Sequence, residues 1–164
     1  MAVEDKYTDT KLAAGKISDS FTGQGQKVIT LIGTEEIAAA DDDGSVYRFF
    51  KSVPSSYIPL QIDIMTDGIT GGTDYELGLY KVGTGEAAVD IDVLMGTQTM
   101  ASALTRATGQ GLGLAAVDIA SINSTLGTLS AQTNPDASYD IALTANTVGT
   151  AAGTISIIAT FIQG

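Results

Sequence analysis

Residues 58–65 read IPLQIDIM and carry the clearest strand pattern in the sequence. Apolar residues occupy every second position of this run: Ile58, Leu60, Ile62 and Ile64. The intervening positions hold Pro59, Gln61, Asp63 and Met65. Because successive side chains of a strand point to opposite faces, this alternation predicts a half-buried β-strand with the first set in the core and the second in water. Proline cannot donate to a β-ladder, so we place Pro59 at the start of the strand.

Six further runs are rich in Val, Ile, Tyr and Phe and are separated by clusters of Gly, Asp, Asn or Pro. They are QKVITLIG (26–33), SVYRFFK (45–51), DYELGLYK (74–81), VDIDVLM (89–95), YDIALTAN (139–146) and TISIIATFI (154–162). Short strands at such spacing are typical of an antiparallel β-sandwich or barrel. The last two runs, joined by TVGTAAG, are predicted to form a hairpin because glycines tolerate the positive φ of a turn.

The rest of the chain departs from this pattern in two places. Residues 1–25 mix charge with Gly, Ser and Thr and show no sustained period, so we predict an extended N-terminal arm followed by a single domain over 26–164. Residues 97–106 and 114–126 are richer in Ala, Leu and Met, which predicts one or two short helices or irregular loops.

Composition excludes several kinds of function. The 164 residues include no cysteine and no histidine, which removes thiol nucleophiles, disulfides and the commonest metal ligand and general base. With 19 acidic against 8 basic residues the net charge is −11, and such a chain is a poor partner for nucleic acid or anionic lipid. Residues 141–162 carry no charge, but the polar and glycine-rich interruption TANTVGTAAGT argues against a membrane span.

The most charge-dense stretch, AAADDDGSVYRFF at 38–50, raises the possibility of a calcium site. With Gly44 at position 6 of an EF-hand loop, Asp41 and Asp43 match ligand positions, but positions 1 and 12 become Ala39 and Phe50. The two strongest ligands are therefore missing. We interpret the stretch as a polar turn in which aspartates cap backbone N–H groups and Gly44 takes a positive φ.

Other motifs also favour structural interpretations. GTGEAA at 83–88 matches a dinucleotide fingerprint, but a predicted strand follows where a helix is needed. The carboxylate pairs Asp90 with Asp92 and Asp63 with Asp67 are explained by solvated strand faces. We therefore predict no catalytic residues, no cofactor, no metal site and no enzymatic activity.

Two long stretches, residues 38–85 (AAADDDGSVYRFF through KVGTG) and 139–164 (YDIALTAN through FIQG), resemble a group of tailed-bacteriophage virion proteins, the head decoration or cement proteins. The resemblance implies a β-sandwich of jelly-roll type that binds the outer surface of the capsid and stabilises the shell by burying surface between subunits. It implies the major capsid protein and further copies of the chain, in a symmetric homo-oligomer, as partners.

If the arm contacts an acidic neighbour, its candidate contact residues are Lys6, Tyr7, Lys11 and Lys16. Lysines would meet the acidic surface, and aromatic residues often anchor interfaces. Solubility of a loose tail explains the same lysines equally well. Two other functions stay open, another virion component of the tail or fibre and a carbohydrate-binding β-sandwich with or without Ca²⁺. The latter would call for exposed aromatic residues.

Overall fold

A computed structural model of the chain describes residues 27–105 and 123–163, together with the backbone of 5–7 and 11–12. These residues form nine strands and one short helix. The strands are β1 (Asp5–Tyr7), β2 (Lys11–Leu12), β3 (Val28–Ile37), β4 (Ser45–Pro54), β5 (Ile58–Thr66), β6 (Asp74–Tyr80), β7 (Ala88–Gln98), β8 (Ser138–Thr147) and β9 (Gly153–Ile162). The helix, α1, spans Leu126–Leu129.

The strands form two sheets, with the order β1-β4-β8-β6-β7 in one and β2-β3-β9-β5 in the other. Apart from the parallel pair β1 and β4, the neighbouring strands of the described sheets run antiparallel. All seven runs recognised in the sequence correspond to strands β3 to β9. The predicted all-β class is confirmed.

One apolar core lies between the two sheets. The five-stranded sheet contributes a row of aromatic and aliphatic side chains, and the four-stranded sheet contributes mainly isoleucines: Tyr47, Phe49, Phe50, Tyr75, Leu77, Tyr139, Ile141 and Leu143 on one side and Ile37, Ile62, Ile64, Ile155, Ile157 and Phe161 on the other. Strands β3 and β4 face each other at one side of the core, where a Cβ at Gly33 would lie 3.0 Å from Phe49 Cδ1. A side chain at Gly33 would therefore press on the Phe49 ring.

The predicted hairpin of the last two runs is wrong. Strand β8 pairs with β4 and β6, whereas β9 pairs with β3 and β5 in the other sheet. The connection over residues 148–152, which includes Gly149 at φ 99°, therefore crosses from one sheet to the other. Chain adjacency favours local pairing, but here each strand finds its partners far away in the sequence.

The predicted faces of β5 are correct for Ile62 and Ile64 but not for Pro59, Leu60 and Asp63. Ile62 and Ile64 are buried, but Leu60 is 43% exposed because an irregularity in the β5–β9 register lies between Pro59 and Gln61. This bulge exchanges the faces of the residues before it, so Pro59 is buried opposite Phe161. Asp63, which the alternation placed in water, is 2% exposed and accepts hydrogen bonds from Gln61 Nε2.

The middle of the chain is partly described. Thr97 and Gln98 end β7, and residues 99–105 are irregular except for a bridge between Leu104 and Thr66. Of the predicted helical segment 114–126, residues 114–122 lie outside the described residues, and Leu126 begins α1. Thr125 caps this helix, its Oγ1 accepting a hydrogen bond from the Thr128 N–H at 3.2 Å.

Candidate functional site

The acidic stretch 41–44 forms a turn between β3 and β4. Asp41 Oδ2 accepts hydrogen bonds from the Ala38 N–H at 3.1 Å and from the Tyr47 hydroxyl at 2.7 Å. Gly44 has a φ of 87°, as the turn interpretation predicted. Burial, and then the hydrogen bond and charge of Asp41, raise the pKa of Tyr47, because each disfavours the phenolate.

Asp43 fastens this turn to the neighbouring loop between β8 and β9. Its Oδ1 accepts a hydrogen bond from the Val148 N–H at 2.9 Å, across 105 positions of sequence. Carboxylates that were candidate calcium ligands thus serve as acceptors for protein donors, which confirms the capping interpretation. Within 27–105 and 123–163, no three acidic side chains are grouped as a metal would require.

A second polar cluster, the Arg48–Asp140 pair, lies on strands β4 and β8. Arg48 Nη1 lies 3.3 Å from Asp140 Oδ2, and neither side chain is exposed to solvent. The guanidinium also donates to the carbonyl oxygens of Lys81 at 3.0 Å and Glu86 at 2.8 Å. Its carbon atom Cζ lies 4.9 Å from the centre of the Tyr80 ring, within range of a cation–π interaction.

Asp140 also organises the backbone around it. Its Oδ1 accepts a hydrogen bond from the Ser52 N–H at 2.8 Å, and its Oδ2 accepts one from the Gly83 N–H at 3.3 Å. Ser52 lies in an irregular part of β4 and has a φ of 50°, a conformation that costs about 1–3 kcal/mol and persists only where the surrounding structure imposes it. Through these hydrogen bonds, the pair stabilises both the irregular part of β4 and the loop between β6 and β7.

This pair is not among the contacts predicted from the sequence. The signal was present, because Arg48 and Asp140 are single charges inside apolar runs, where a charge is rarely buried without a partner. The two residues are 92 positions apart, so local patterns do not show that they meet.

The carboxylates of β7 do not lie on a regular strand face. In the β6–β7 pair, Leu77 lies opposite Met95 and Leu79 lies opposite Asp90. Two steps along β6 therefore correspond to five along β7, so β7 has three extra residues here. The extra residues cross over Gly78, where any side chain would collide with the Asp90 carbonyl. Burial and then the neighbouring Asp92 raise the pKa of Asp90. Asp92 is exposed, whereas Asp90, on the solvated face that the sequence predicted, is half-buried.

The other predicted carboxylate pair, Asp63 with Asp67, is divided by the fold. Asp63 lies within β5, whereas Asp67 follows the strand and its Oδ1 accepts a hydrogen bond from the Thr154 N–H at 2.8 Å. Each carboxylate serves a separate local contact.

A groove of about 660 Å³ lies beside α1 and is open to solvent. Its side chains are mostly hydroxyl-bearing: Ser55, Ser56, Thr125, Thr128 and Thr133. In 27–105 and 123–163 every phenylalanine and tyrosine is buried except the half-buried Tyr57, whose ring packs against Phe161. The described surface thus offers no exposed aromatic platform of the kind that a carbohydrate site would use.

The predicted contact residues fall in the N-terminal segment. Lys6 and Tyr7 belong to β1, which pairs with β4, and Lys11 belongs to β2, which pairs with β3. Lys16 lies outside the described residues. Backbone pairing thus brings three of the four to one side of the two sheets.

Comparisons with known proteins bear on the fold. No protein-family model matches the chain, and no curated protein matches it. A chain in a structure of the capsid of Ralstonia phage GP4 is similar over 84% of both chains, with a TM-score of 0.51 and 17% sequence identity. A chain of the cyanophage Pam1 capsid asymmetric unit aligns over 93% of this chain and 96% of its own length, with a TM-score of 0.44 and 16% identity. At such identity, the likeness to the Ralstonia phage chain is one of fold.

The uncharged segment 141–162 is divided between β8 and β9. Among the residues that the structure describes, no helix has the length and hydropathy to cross a membrane.

Proposed function

We propose that this protein is a structural component of a bacteriophage virion, a decoration or cement protein that binds the outer surface of the capsid and stabilises the shell. The observation that carries the proposal is the shared fold with a chain of the Ralstonia phage GP4 capsid over 84% of both chains. The sequence resemblance of residues 38–85 and 139–164 to phage head decoration proteins points the same way. A protein with this role acts through buried interface area and needs no reactive group.

The order of strand pairing supports the proposed jelly-roll topology. Strand β3 pairs with β9, β4 with β8, and β6 with β7, so that the pairs are nested along the chain. A jelly roll of eight strands would add a strand between β7 and β8 as the partner of β5. Leu104 forms its bridge at that place, exchanging hydrogen bonds of 3.0 and 2.9 Å with Thr66 at the end of β5.

The distribution of charge supports a contact through the N-terminal arm. Residues 27–105 and 123–163 hold 14 acidic and 4 basic residues, and one of the four, Arg48, is buried. Residues 1–26 hold three lysines against four acidic residues and are therefore nearly neutral. An acidic shell would repel the two sheets much more than the arm, so we assign the capsid contact to Lys6, Tyr7, Lys11 and Lys16.

Co-sedimentation with capsids that lack the protein tests this function. We expect the purified chain to sediment with such shells and to raise the temperature at which they disassemble. Deletion of residues 1–20 should weaken the association, and so should Lys6→Ala/Lys11→Ala/Lys16→Ala. The matched control is Lys27→Ala/Lys51→Ala/Lys81→Ala, which makes the same change of charge at exposed positions outside the arm.

Two results would contradict the proposal. Failure of the unmodified chain to associate with shells would refute capsid binding. Association with isolated tails in place of heads would refute the assigned position while keeping a virion role.

A further inference from the structure

We infer that one end of the two sheets faces the capsid shell and that the opposite end points away from it. The end that faces the shell, called the contact end, holds the turn 55–57, the loop 81–87 and residues 126–137. The other, called the acidic end, holds the connections 38–44, 67–73 and 148–152. This inference rests on the proposed capsid binding and adds the surface that makes the contact.

Antiparallel pairing defines the two ends. Strand β3 runs from Val28 at the contact end to Ile37 at the acidic end, and β9 returns from Gly153, opposite Ile37, to Ile162, opposite Val28. The strands β4, β6 and β9 run from the acidic end to the contact end, whereas β3, β5, β7 and β8 run in the other direction. Each connection between consecutive strands therefore lies at one end or the other.

Charge is divided unequally between these ends. Among the residues that the structure describes, the acidic end holds seven acidic side chains and no basic one: Glu35, Glu36, Asp41, Asp42, Asp43, Asp67 and Asp74. The contact end holds three exposed lysines and two exposed acidic residues: Lys27, Lys51, Lys81, Glu86 and Asp136. The described net charge is thus −7 at one end and +1 at the other. Because the centres of interfaces are depleted of charge, the contact end is better suited to a partner.

Exposed apolar side chains lie at the contact end as well. Leu60, near the start of β5, is 43% exposed, and Val82, directly after β6, is 44% exposed. They are the large apolar side chains that the described residues of 27–105 and 123–163 expose to this extent. Single exposed apolar residues are common on proteins. Their significance here is that both occupy the end that carries no excess of negative charge.

The grooves at the two ends differ in the same direction. The groove of about 660 Å³ beside α1 is at the contact end, and no charged residue lines it. A groove of about 300 Å³ at the acidic end is lined by Asp41, Asp42 and Asp43. Removing carboxylates from water costs far more free energy than removing hydroxyl groups. A protein surface can therefore cover the contact end at a lower cost than the acidic end.

Hydrogen bonds hold the contact end in one shape. The Gly127 N–H donates to the Ser55 carbonyl at 2.8 Å, and the Ser55 N–H donates to the Ala137 carbonyl at 3.0 Å. The guanidinium of Arg48 donates to two carbonyl groups of the loop 81–87. A surface that is already ordered loses little conformational entropy on binding. The buried Arg48–Asp140 pair thus supports part of the proposed contact surface.

The contact assigned to the N-terminal arm is separate from this one. Lys6 lies opposite Tyr47 and Lys11 lies opposite Ile32, at positions between the two ends of β4 and β3. The described part of the arm therefore runs along the side of the sheets. The contact end supplies a second contact with the same shell.

Thiol labelling on the shell tests the orientation, and the absence of cysteine makes each engineered thiol unique in this chain. Val82→Cys places a thiol at the contact end and Ala152→Cys places one at the acidic end, both at exposed positions. Each variant is labelled with a maleimide, free and after co-sedimentation with shells that lack the protein, and the label is read on this chain. Shell binding should slow labelling of Val82→Cys by about tenfold or more and leave Ala152→Cys within about twofold, because an interface core excludes solvent.

Two labelling results would overturn the inference. Protection of Ala152→Cys with free labelling of Val82→Cys would reverse the orientation. An equal change at both positions would show that the shell does not distinguish the two ends. Both results require that the chain sediments with shells, so they leave capsid binding intact. Failure of the unmodified chain to sediment would refute the proposed function, and the orientation with it.

A second measurement adds one negative charge at either end. Leu60→Asp and Val82→Asp should each weaken association with shells by about tenfold or more, because the new carboxylate would be buried without a partner. Ala152→Asp adds the same charge at the acidic end and should change association by less than about twofold. Circular dichroism checks that all three variants are folded. Weaker association of Ala152→Asp alone would contradict the assigned contact end.

Discussion

The guanidinium of Arg48 lies 3.3 Å from the carboxylate of Asp140, and both side chains are withdrawn from solvent. The two residues belong to neighbouring strands but are 92 positions apart in sequence. A buried ion pair is costly to assemble, yet removing one partner is costlier because an uncompensated charge stays behind. This asymmetry yields the first prediction.

Asp140→Asn should lower the free energy of unfolding by about 3–5 kcal/mol, because the buried Arg48 then loses the charge of the Asp140 carboxylate. Asp136→Asn is the matched control, since Asp136 is exposed, and it should change stability by less than about 0.5 kcal/mol. Urea titration followed by circular dichroism measures both. Arg48→Met/Asp140→Leu should recover part of the loss. Equal stability of Asp140→Asn and the control would contradict a structural role for the pair.

Gly78→Ala should be strongly destabilising, by more than about 3 kcal/mol, because its methyl group would collide with the Asp90 carbonyl where β7 crosses β6. Gly96→Ala, also within the β6–β7 pair, meets nothing within 4 Å and should be neutral or slightly stabilising. Thermal unfolding of the two variants makes the comparison. Similar melting temperatures would show that β7 does not pass over Gly78.

Stability should fall as the pH rises above about 10, the ordinary pKa of tyrosine. Burial is the main cause that raises the pKa of Tyr47 and Tyr75, so the folded protein keeps these phenol protons while the unfolded chain releases them. The unfolded state then binds fewer protons, and each tyrosine costs about 1.4 kcal/mol per pH unit until its folded pKa is reached. Urea midpoints measured between pH 9 and pH 11 should decline accordingly.

The Tyr47→Phe/Tyr75→Phe variant should show a shallower decline above pH 10. Tyr57→Phe serves as the control and should retain the full decline, since both buried phenols remain. An unchanged slope in the double variant would assign the pH dependence to other groups.

Asp43→Ala should cost about 1 kcal/mol, because the Val148 N–H loses its acceptor. Asp43→Asn keeps an oxygen at the same place and should restore most of that stability. Thermal unfolding with added Ca²⁺ or with EDTA distinguishes a cap from a metal ligand. A melting temperature that rises with Ca²⁺ in the unmodified protein, and not in Asp43→Asn, would establish a calcium site at this turn.

Local sequence determined the strands and their turns. Alternation of apolar and polar residues has the same period as the two faces of a strand, so residues 74–81 place Tyr75, Leu77 and Leu79 in the core without knowledge of their neighbours. The positive φ of Gly44 could likewise be predicted from the sequence, because few other residues adopt that conformation. The composition alone excluded functions that depend on histidine or cysteine side chains.

Only the tertiary structure decided which strands meet. Strands β8 and β9 follow each other in the chain and yet lie in different sheets, because their apolar faces pack on opposite sides of one core. The exposure of Leu60 results from one irregularity in the pairing of β5 with β9, and a single-residue shift exchanges the two faces of a strand. The Arg48–Asp140 pair depends on the pairing of β4 with β8, two strands that are far apart in the sequence. Periodicity encodes the face of a side chain, whereas pairing and charge compensation depend on contacts between distant residues, which no local pattern records.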